Sequence, residues 1–219
     1  QGLGVPQNYA EAAKWWRMAA EQGEAHGQLK LAMLYHQGLG VPQNYAEAAK
    51  WWRMVAEQGD VNAQIQLSTY YYRGLGVPQN YAEAAKWYRM AAEQGHAGAQ
   101  SLLGICYDTG EGVPQNYTDA VKWYRMAAAQ GDVIAQNNLG LLYANGQGVP
   151  QNYAEAMKWY RLAANQGYAK AQYNLGLSYD GGIGVYKNFD EAVKWYRLAA
   201  NQGHAEAQTA LNRLYGNPQ

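Results

Sequence analysis

One segment is written again and again along the chain at a fixed distance. GVPQNYAEAAKWWRM occupies residues 4–18 and returns unchanged at 40–54. A fixed period of this size is the signature of repeat architectures, in which each unit packs mainly on its neighbours. The period of 36 residues is set by Val5, Val41, Val77, Val113, Val149 and Val185, and again by Gln28, Gln64, Gln100, Gln136, Gln172 and Gln208. The spacing therefore predicts a stack of similar units and constrains the fold more than any other feature.

The latter part of the repeated segment is typical of an amphipathic helix, which we call helix B. Asn8 is a favourable N-cap because its side chain accepts a hydrogen bond from the first helical turn, and Glu11 three residues later predicts a capping box. The same Asn-x-x-Glu/Asp pair recurs in every later period. Tyr9 and Trp16 fall on one helical face, and Gly23 stands where a helix commonly ends in a left-handed residue.

A second helix, helix A, follows in each period, for example over residues 97–107. Gly104 lies in the middle of that helix, where glycine costs roughly 1 kcal/mol relative to alanine. The equivalent positions hold Ala32, Ser68, Gly140 and Gly176, which are also small. This column predicts close approach of a neighbouring helix. The apolar faces of one helix pair are too wide to bury alone, so successive pairs are expected to stack.

The complete pattern carries a family resemblance. A-x-A-Q-x-x-L-G-x-x-Y, followed by G-x-G-V-P-Q-N-Y-x-x-A-x-K-W-Y-R-x-A-A-x-Q-G, resembles the Sel1-like repeat, a relative of the tetratricopeptide repeat. The match spans the whole chain. The resemblance implies an all-α fold, a right-handed α-solenoid of antiparallel helix pairs with a 36-residue period, and a role as an interaction scaffold. The near-identity of the repeats indicates recent duplication, which favours a bacterial source; the compartment stays undetermined.

The spacing divides residues 1–219, taken as a single solenoid, into unequal parts. An unpaired helix B over 1–23 precedes repeats 24–59, 60–95, 96–131, 132–167 and 168–203, and a capping helix A over 204–219 closes the array. Because no helix A precedes the first helix B, we expect Tyr9 and Trp15 to be more exposed than Tyr45 and Trp51. The chain opens inside a loop, so we interpret it as an excised or processed fragment with room for further repeats or domains N-terminal to it.

Composition argues against several classes of partner. Apolar residues make up 48% of the chain, enough for a substantial core, and 17 basic residues balance 17 acidic ones. A net charge of zero offers no general attraction to nucleic acid or to an acidic membrane surface. No apolar run approaches the roughly 18 residues of a membrane span. We therefore predict neither nucleic-acid binding nor membrane insertion.

Candidate catalytic and metal-binding groups are few. The glycines of GLGVP lack the Lys and Ser/Thr that end a phosphate-binding loop, so they predict a turn. His26, His36, His96 and His204 have no metal-ligand spacing and are interpreted as surface residues. No Ser-x-x-Lys motif is present, and the position of Cys106 in helix A predicts a small core residue. We predict no catalysis, no cofactor and no metal.

The residues that differ most between repeats share one face of helix A. Four columns at offsets 0, 3, 7 and 10, beginning at positions such as Asn62 and Lys170, vary in size and charge. In tetratricopeptide-like folds the matching face lines the concave groove, so the resemblance makes it the candidate binding surface. The candidate residues are Asn62, Ile65, Thr69, Tyr72, Arg73, Ser101, Ile105, Asp108, Asn137, Leu141, Lys170, Tyr173, Leu177 and Asp180. Tyr72 and Tyr173 are the expected anchors because aromatic side chains dominate interface energetics, and the charged members are expected to orient the ligand.

Three functions stay open at this level. The favoured one is a non-catalytic scaffold whose groove binds an extended peptide or a segment of a partner protein. The second is an RNA-binding helical repeat, suggested by the Trp-Tyr-Arg runs of helix B but opposed by the acidic groove residues and the zero net charge. The third is a hydrolase or β-lactam-binding protein of the secreted Sel1-like type, for which the sequence offers no nucleophile–base pair.

Overall fold

The repeated pattern folds into helices along the whole described chain. A computed structural model describes residues 8–216, and the first Gly-Val-Pro loop, Gly4 to Pro6, lies outside the described residues. Within 8–216 there are twelve helices: α1 (Tyr9–Glu21), α2 (Ala25–Gln37), α3 (Tyr45–Glu57), α4 (Val61–Arg73), α5 (Tyr81–Glu93), α6 (Ala97–Thr109), α7 (Tyr117–Ala129), α8 (Val133–Asn145), α9 (Tyr153–Asn165), α10 (Ala169–Gly181), α11 (Phe189–Ala200) and α12 (Ala205–Tyr215). Odd-numbered helices are helices B and even-numbered helices are helices A, as predicted. Helix α6 runs two residues beyond its predicted end.

The helices belong to two compact units, each described here by itself. The first comprises described residues 8–99 and 111–114, and the second comprises 100–110 and 115–216. In the first unit each of the helices α1 to α5 packs against its neighbours in sequence, and in the second unit the helices α7 to α12 do the same. The prediction of one continuous solenoid over 1–219 stays a prediction.

Each helix B begins at the predicted asparagine. The Asn44 side-chain oxygen accepts a hydrogen bond from the Glu47 backbone N–H at 3.1 Å, and the other odd-numbered helices begin in the same way. The predicted capping box is wrong, because the Asn44 backbone N–H donates to the Tyr35 carbonyl at 2.9 Å. The last turn of the preceding helix A supplies an unpaired carbonyl at that point. The glutamate is left to pair with lysine, as in the 3.0 Å contact between Lys194 and Glu191.

Each helix B ends in the predicted glycine turn. Gly23 has φ of 89°, in the left-handed region that favours glycine. The Gly23 N–H donates to the Ala20 carbonyl at 3.0 Å and the Glu24 N–H donates to the Ala19 carbonyl at 3.1 Å, which is a Schellman motif. This turn reverses the chain in three residues, so helix A lies directly against helix B.

A buried glutamine of helix A bonds to the helices B before and after it. Gln136 of α8 is 3% exposed; its amide N–H donates to the Ala128 carbonyl at 3.1 Å, and its oxygen accepts from Gln166 at 2.9 Å. The same Gln–Gln bond, at 2.8–2.9 Å, joins Gln28 to Gln58, Gln64 to Gln94, Gln100 to Gln130 and Gln172 to Gln202. Gln208 of α12 is exposed and bonds to Asn212 of its own helix instead. Within the described chain, these glutamines are therefore buried where a following helix B covers them.

The end effects predicted at α1 are confirmed for the tryptophan. Trp15 is 62% exposed, whereas the equivalent Trp51 is 7% exposed. Tyr9 is also more exposed than the half-buried Tyr45, as predicted. However, the equivalent Tyr81 is 38% exposed although helices precede it, so exposure at this position does not depend on a missing preceding helix.

We predict that Gln136→Met destabilises the protein by about 1–2 kcal/mol, because the buried hydrogen bonds to Ala128 and Gln166 are lost. Gln208→Met is the matched control on the exposed end of the column and is expected to change stability by less than about 0.5 kcal/mol. Urea unfolding followed by circular dichroism measures both. Equal losses in the two variants would contradict a specific role for the buried pair.

Candidate functional site

The predicted binding residues do not all reach the surface. Asn62, Tyr72, Arg73, Leu141, Lys170 and Leu177 are exposed, and Ile65, Thr69, Ile105, Asp108, Tyr173 and Asp180 are half-buried. Ser101 and Asn137 are only 3% and 2% exposed, which contradicts their assignment to an open surface. Both are small enough to be covered by the next helix A, and Asn137 accepts a hydrogen bond from Asn174 of α10 at 2.9 Å.

The two predicted anchors differ in how they are held. Tyr72 in the first unit donates its hydroxyl hydrogen bond to Glu111 at 3.1 Å, and its ring meets Tyr81 edge-on at 5.1 Å. The bond to Glu111 raises the pKa of Tyr72. Tyr173 in the second unit stacks on His204 at 4.7 Å between ring centres. Tyr72 is an exposed ring with an occupied hydroxyl, whereas Tyr173 is part of a packed aromatic wall.

The second unit contains two adjoining hollows on the helix A face. The first, called the α8–α10 hollow, has a volume of about 430 Å³ and is lined by residues of α8, α9 and α10 that include Leu141, Tyr160 and Asn174. The second, called the α10–α12 hollow, has about 280 Å³ and is lined by Tyr173, Arg213 and neighbours on α10 and α12. Leu177 lines both hollows. The structure thus brings together Leu141, Leu177 and Tyr173 among the residues predicted from sequence.

A polar chain crosses the wall beside the first hollow. The Tyr124 hydroxyl donates to the Asp108 carboxylate at 3.1 Å and accepts from the Asn138 amide at 3.2 Å. Asn138 in turn accepts from the Asn137 amide at 3.2 Å. Burial raises the pKa of Asp108, and the hydrogen bond from Tyr124 opposes that shift. Burial also raises the pKa of Tyr124, so its hydroxyl keeps its proton and acts as a donor.

A second carboxylate is neutralised inside the α10–α12 region. Asp180 accepts a hydrogen bond from the Tyr196 hydroxyl at 3.4 Å and forms an ion pair with Arg213. Glu206 also lines the α10–α12 hollow and lies 3.2 Å from the His204 ring nitrogen, so this hollow carries one acidic group and one basic group that is paired with Asp180. The α8–α10 hollow has no charged side chain in its lining.

Sequence reasoning missed Tyr160, Asn174 and Ile183, which all line the α8–α10 hollow. Tyr160 is equivalent to Trp16, on the face of helix B that the sequence pattern identifies as apolar. A signal was nevertheless present, because Ala144 stands in a helix A column that holds Asp108 and Asp180 in the repeats on either side. The small side chain of Ala144, in place of an aspartate, leaves space for the hollow in this repeat.

Other candidate groups are accounted for by packing. Cys106 is buried, as predicted, and the tryptophans Trp51, Trp52, Trp87, Trp123 and Trp195 are 6–8% exposed. Buried rings offer no platform for bases at these five positions, whereas Trp15 is 62% exposed. The guanidinium of Arg17 donates a hydrogen bond to the Tyr35 hydroxyl.

The histidines are not all surface residues. His26 and His96 are exposed, but His36 is half-buried and bonds to the Tyr70 hydroxyl at 2.6 Å, and His204 is half-buried under Tyr173. Within 8–216 no cluster of three His, Cys, Asp or Glu side chains is placed to hold a metal ion. None of the helices in the same range combines the length and apolar character of a bilayer crossing.

The fold and the hollows define a helical-repeat protein built from antiparallel helix pairs. The family model for the Sel1 repeat matches residues 1–24, 25–60, 61–96, 97–132, 133–168 and 169–204. The chain belongs to the Sel1 repeat family, whose members generally act as scaffolds for protein–protein interaction. The predicted fold class, an all-α repeat fold with a 36-residue period, is confirmed.

Solved structures agree with this assignment. A protective antigen of uropathogenic Escherichia coli with an SLR fold is 38% identical, with a TM-score of 0.90, over 100% of this chain and 47% of that one. A Sel1 repeat protein from Oxalobacter formigenes is 33% identical, with a TM-score of 0.81, over 96% of this chain and 89% of that one. The chain thus spans about half the length of the E. coli antigen. No curated protein matches the chain.

We predict that Asp108→Asn stabilises the protein at about pH 7 and has little effect at about pH 3. Burial raises the pKa of Asp108, so the folded state prefers the protonated form. Its favourable contribution is complete below the ordinary carboxyl pKa and is lost as the pH rises through the folded-state value. Asparagine can still accept the Tyr124 hydrogen bond and carries no charge at either pH.

Melting temperatures at the two pH values measure the effect. Asp190→Asn, at an exposed position in the first turn of α11, is the matched control and should change little at either pH. A destabilised Asp108→Asn at neutral pH would show that the carboxylate is more favourable in this environment than burial alone implies.

Proposed function

We propose that this protein is a non-catalytic scaffold that binds an extended peptide segment across the two hollows of the second unit. The observation that carries the proposal is the shared wall: Leu177 lines both the α8–α10 hollow and the α10–α12 hollow. Two adjoining hollows separated by one side chain suit two side chains of an extended segment better than one compact ligand.

The size and lining of the hollows support a peptide. The α8–α10 hollow, at about 430 Å³, falls in the range of roughly 300–1,000 Å³ typical of ligand sites. Leu141, Leu177 and Ile183 are 38%, 38% and 45% exposed, so they present apolar surface that a partner side chain can cover. Burial of such surface favours binding by about 25 cal/mol per Å² before ordering costs.

The surrounding charges support a partner without a strong charge of its own. Arg213 is paired with Asp180, and the first hollow has no charged lining residue. A phosphate backbone would need unpaired basic groups that neutralise it. The remaining groove residues, including Lys170 and Glu206, are of both signs and suit the rim of a protein interface.

We expect Leu177→Glu to weaken peptide binding by at least about tenfold, because it places a charge in the wall of both hollows. The measurement starts by selecting peptides from a random phage-displayed library on the wild-type chain. Fluorescence polarisation of the selected peptides then compares wild type with the variant.

Leu162→Glu is the matched control, since Leu162 on α9 is 48% exposed and lines neither hollow. Its affinity is expected to equal that of wild type. If no peptide is enriched, or if both variants lose binding equally, the hollows are not the binding surface.

A further inference from the structure

One tyrosine in the second unit differs from its equivalents in neighbouring repeats. Tyr124, Tyr160 and Tyr196 lie 36 residues apart in helices B, and they are 0%, 4% and 0% exposed. The hydroxyl of Tyr124 donates to Asp108 at 3.1 Å, and that of Tyr196 donates to Asp180 at 3.4 Å. In both flanking repeats a carboxylate of the preceding helix A therefore satisfies the buried hydroxyl.

The middle repeat lacks that carboxylate. Ala144 stands at the position of Asp108 and Asp180, and the described residues supply no hydrogen-bond partner to the Tyr160 hydroxyl. Burial raises the pKa of Tyr160, so the group stays protonated and needs an acceptor. Although Tyr160 is only 4% exposed, its hydroxyl is reached from the α8–α10 hollow. A ligand in that hollow can therefore supply the acceptor that Asp108 and Asp180 supply in the flanking repeats.

A second polar atom lies beside the hydroxyl. Asn174 is equivalent to Asn138, whose amide N–H donates to Tyr124 at 3.2 Å. In α10 the Asn174 amide N–H donates instead to Asn137 at 2.9 Å. Its amide oxygen is left as an acceptor on the same hollow that Tyr160 lines. The two groups together present one donor and one acceptor.

Both groups open on the α8–α10 hollow, which Ala144, Tyr160 and Asn174 all line. The ring of Tyr160 is held in place because it packs on Gly140, where a Cβ atom would lie 2.6 Å from the ring. Leu141, Leu177 and Ile183 are the apolar part of the lining, which also includes the polar residues Asn145, Gln151, Tyr153 and Ser178. The hollow therefore combines a fixed polar floor with walls that suit the aliphatic part of a side chain.

The charge of the site selects between possible acceptors. A carboxylate has two acceptor oxygens and no donor, so it satisfies Tyr160 and leaves the Asn174 oxygen facing a negative charge. No cation lines the hollow, and Asp108 one repeat away shows that burial at this position disfavours the ionised form. A primary carboxamide offers both a carbonyl oxygen and an N–H, without charge.

We propose that the α8–α10 hollow binds the side-chain carboxamide of a glutamine or asparagine in a partner peptide. The carbonyl oxygen accepts from the Tyr160 hydroxyl, and the amide N–H donates to the Asn174 side-chain oxygen. The aliphatic stem packs between Leu141 and Leu177. This inference rests on the proposed peptide-binding function and names what the first hollow selects.

The direct test is an NMR titration of the full chain with N-acetyl-L-glutamine methylamide, with N-acetyl-L-glutamate methylamide as the comparison probe at about pH 7. We expect saturable shifts of the Leu141 and Leu177 backbone amides and of the Asn174 side-chain amide with the glutamine probe. The glutamate probe is expected to bind at least about fivefold more weakly, because its charge is buried without a cation. Equal or tighter binding of the glutamate probe, or no saturable shift, overturns the proposal.

Two variants locate the probe. Tyr160→Phe removes only the hydroxyl and should weaken binding of the glutamine probe by about 3- to 10-fold. Tyr196→Phe makes the same change where the hydroxyl bonds to Asp180, which keeps Arg213 as a partner, and the probe should bind as to wild type. Identical affinities of Tyr160→Phe and wild type would remove the hydroxyl from the site.

Ala144→Asp provides an independent readout. It restores the acid of the flanking repeats, so we expect it to bond to Tyr160, fill the polar floor and abolish probe binding in a chain that circular dichroism shows to be folded. Unchanged probe binding in this variant overturns the placement. If library peptides depend on Leu177 but carry no preferred glutamine or asparagine, the scaffold function stands and the carboxamide assignment fails.

Discussion

The structure depends on a buried glutamine whose side chain hydrogen-bonds to two neighbouring helices. In α8, Gln136 donates to a carbonyl of the preceding helix B and accepts from Gln166 at the end of the following one. An apolar side chain would fill the same space but would not define rotation or distance between helices, whereas two hydrogen bonds with fixed directions do both. Because the residue recurs every 36 positions, each helix pair is set on the previous one by the same geometry, and the repeat becomes a structural unit.

The proposed binding surface lies where that regularity lapses. In the repeats of Tyr124 and Tyr196 a carboxylate from the neighbouring helix A accepts the hydrogen bond of the buried tyrosine. In the repeat of Tyr160 the carboxylate is replaced by Ala144, and the hydroxyl opens on a hollow of about 430 Å³. One difference between otherwise similar repeats thus leaves a hydrogen-bond donor available to a ligand.

Sequence reasoning succeeded for local structure and was partly wrong for the surface. Asparagine caps, glycine turns and the small column at Gly104 depend on neighbours within a few residues or on the repeated pattern itself. The capping box failed because the carbonyl of Tyr35, nine residues before Asn44, takes the backbone N–H. Ser101 and Asn137 failed because exposure depends on how far the next helix A covers a side chain. Helical periodicity predicts on which face of a helix a residue lies, but not how far a neighbouring helix buries its side chain.

By itself the sequence determined the number and order of the helices within the described chain, and the family, because these follow from a period and from short-range capping chemistry. The tertiary structure alone decided that Leu141, Leu177, Tyr160 and Asn174 line one hollow and that the hydroxyl of Tyr160 has no partner. Those facts depend on side chains from three helices meeting in space. A change of about half an ångström decides whether a hydrogen bond forms, and the sequence alone does not give distances between side chains of different helices.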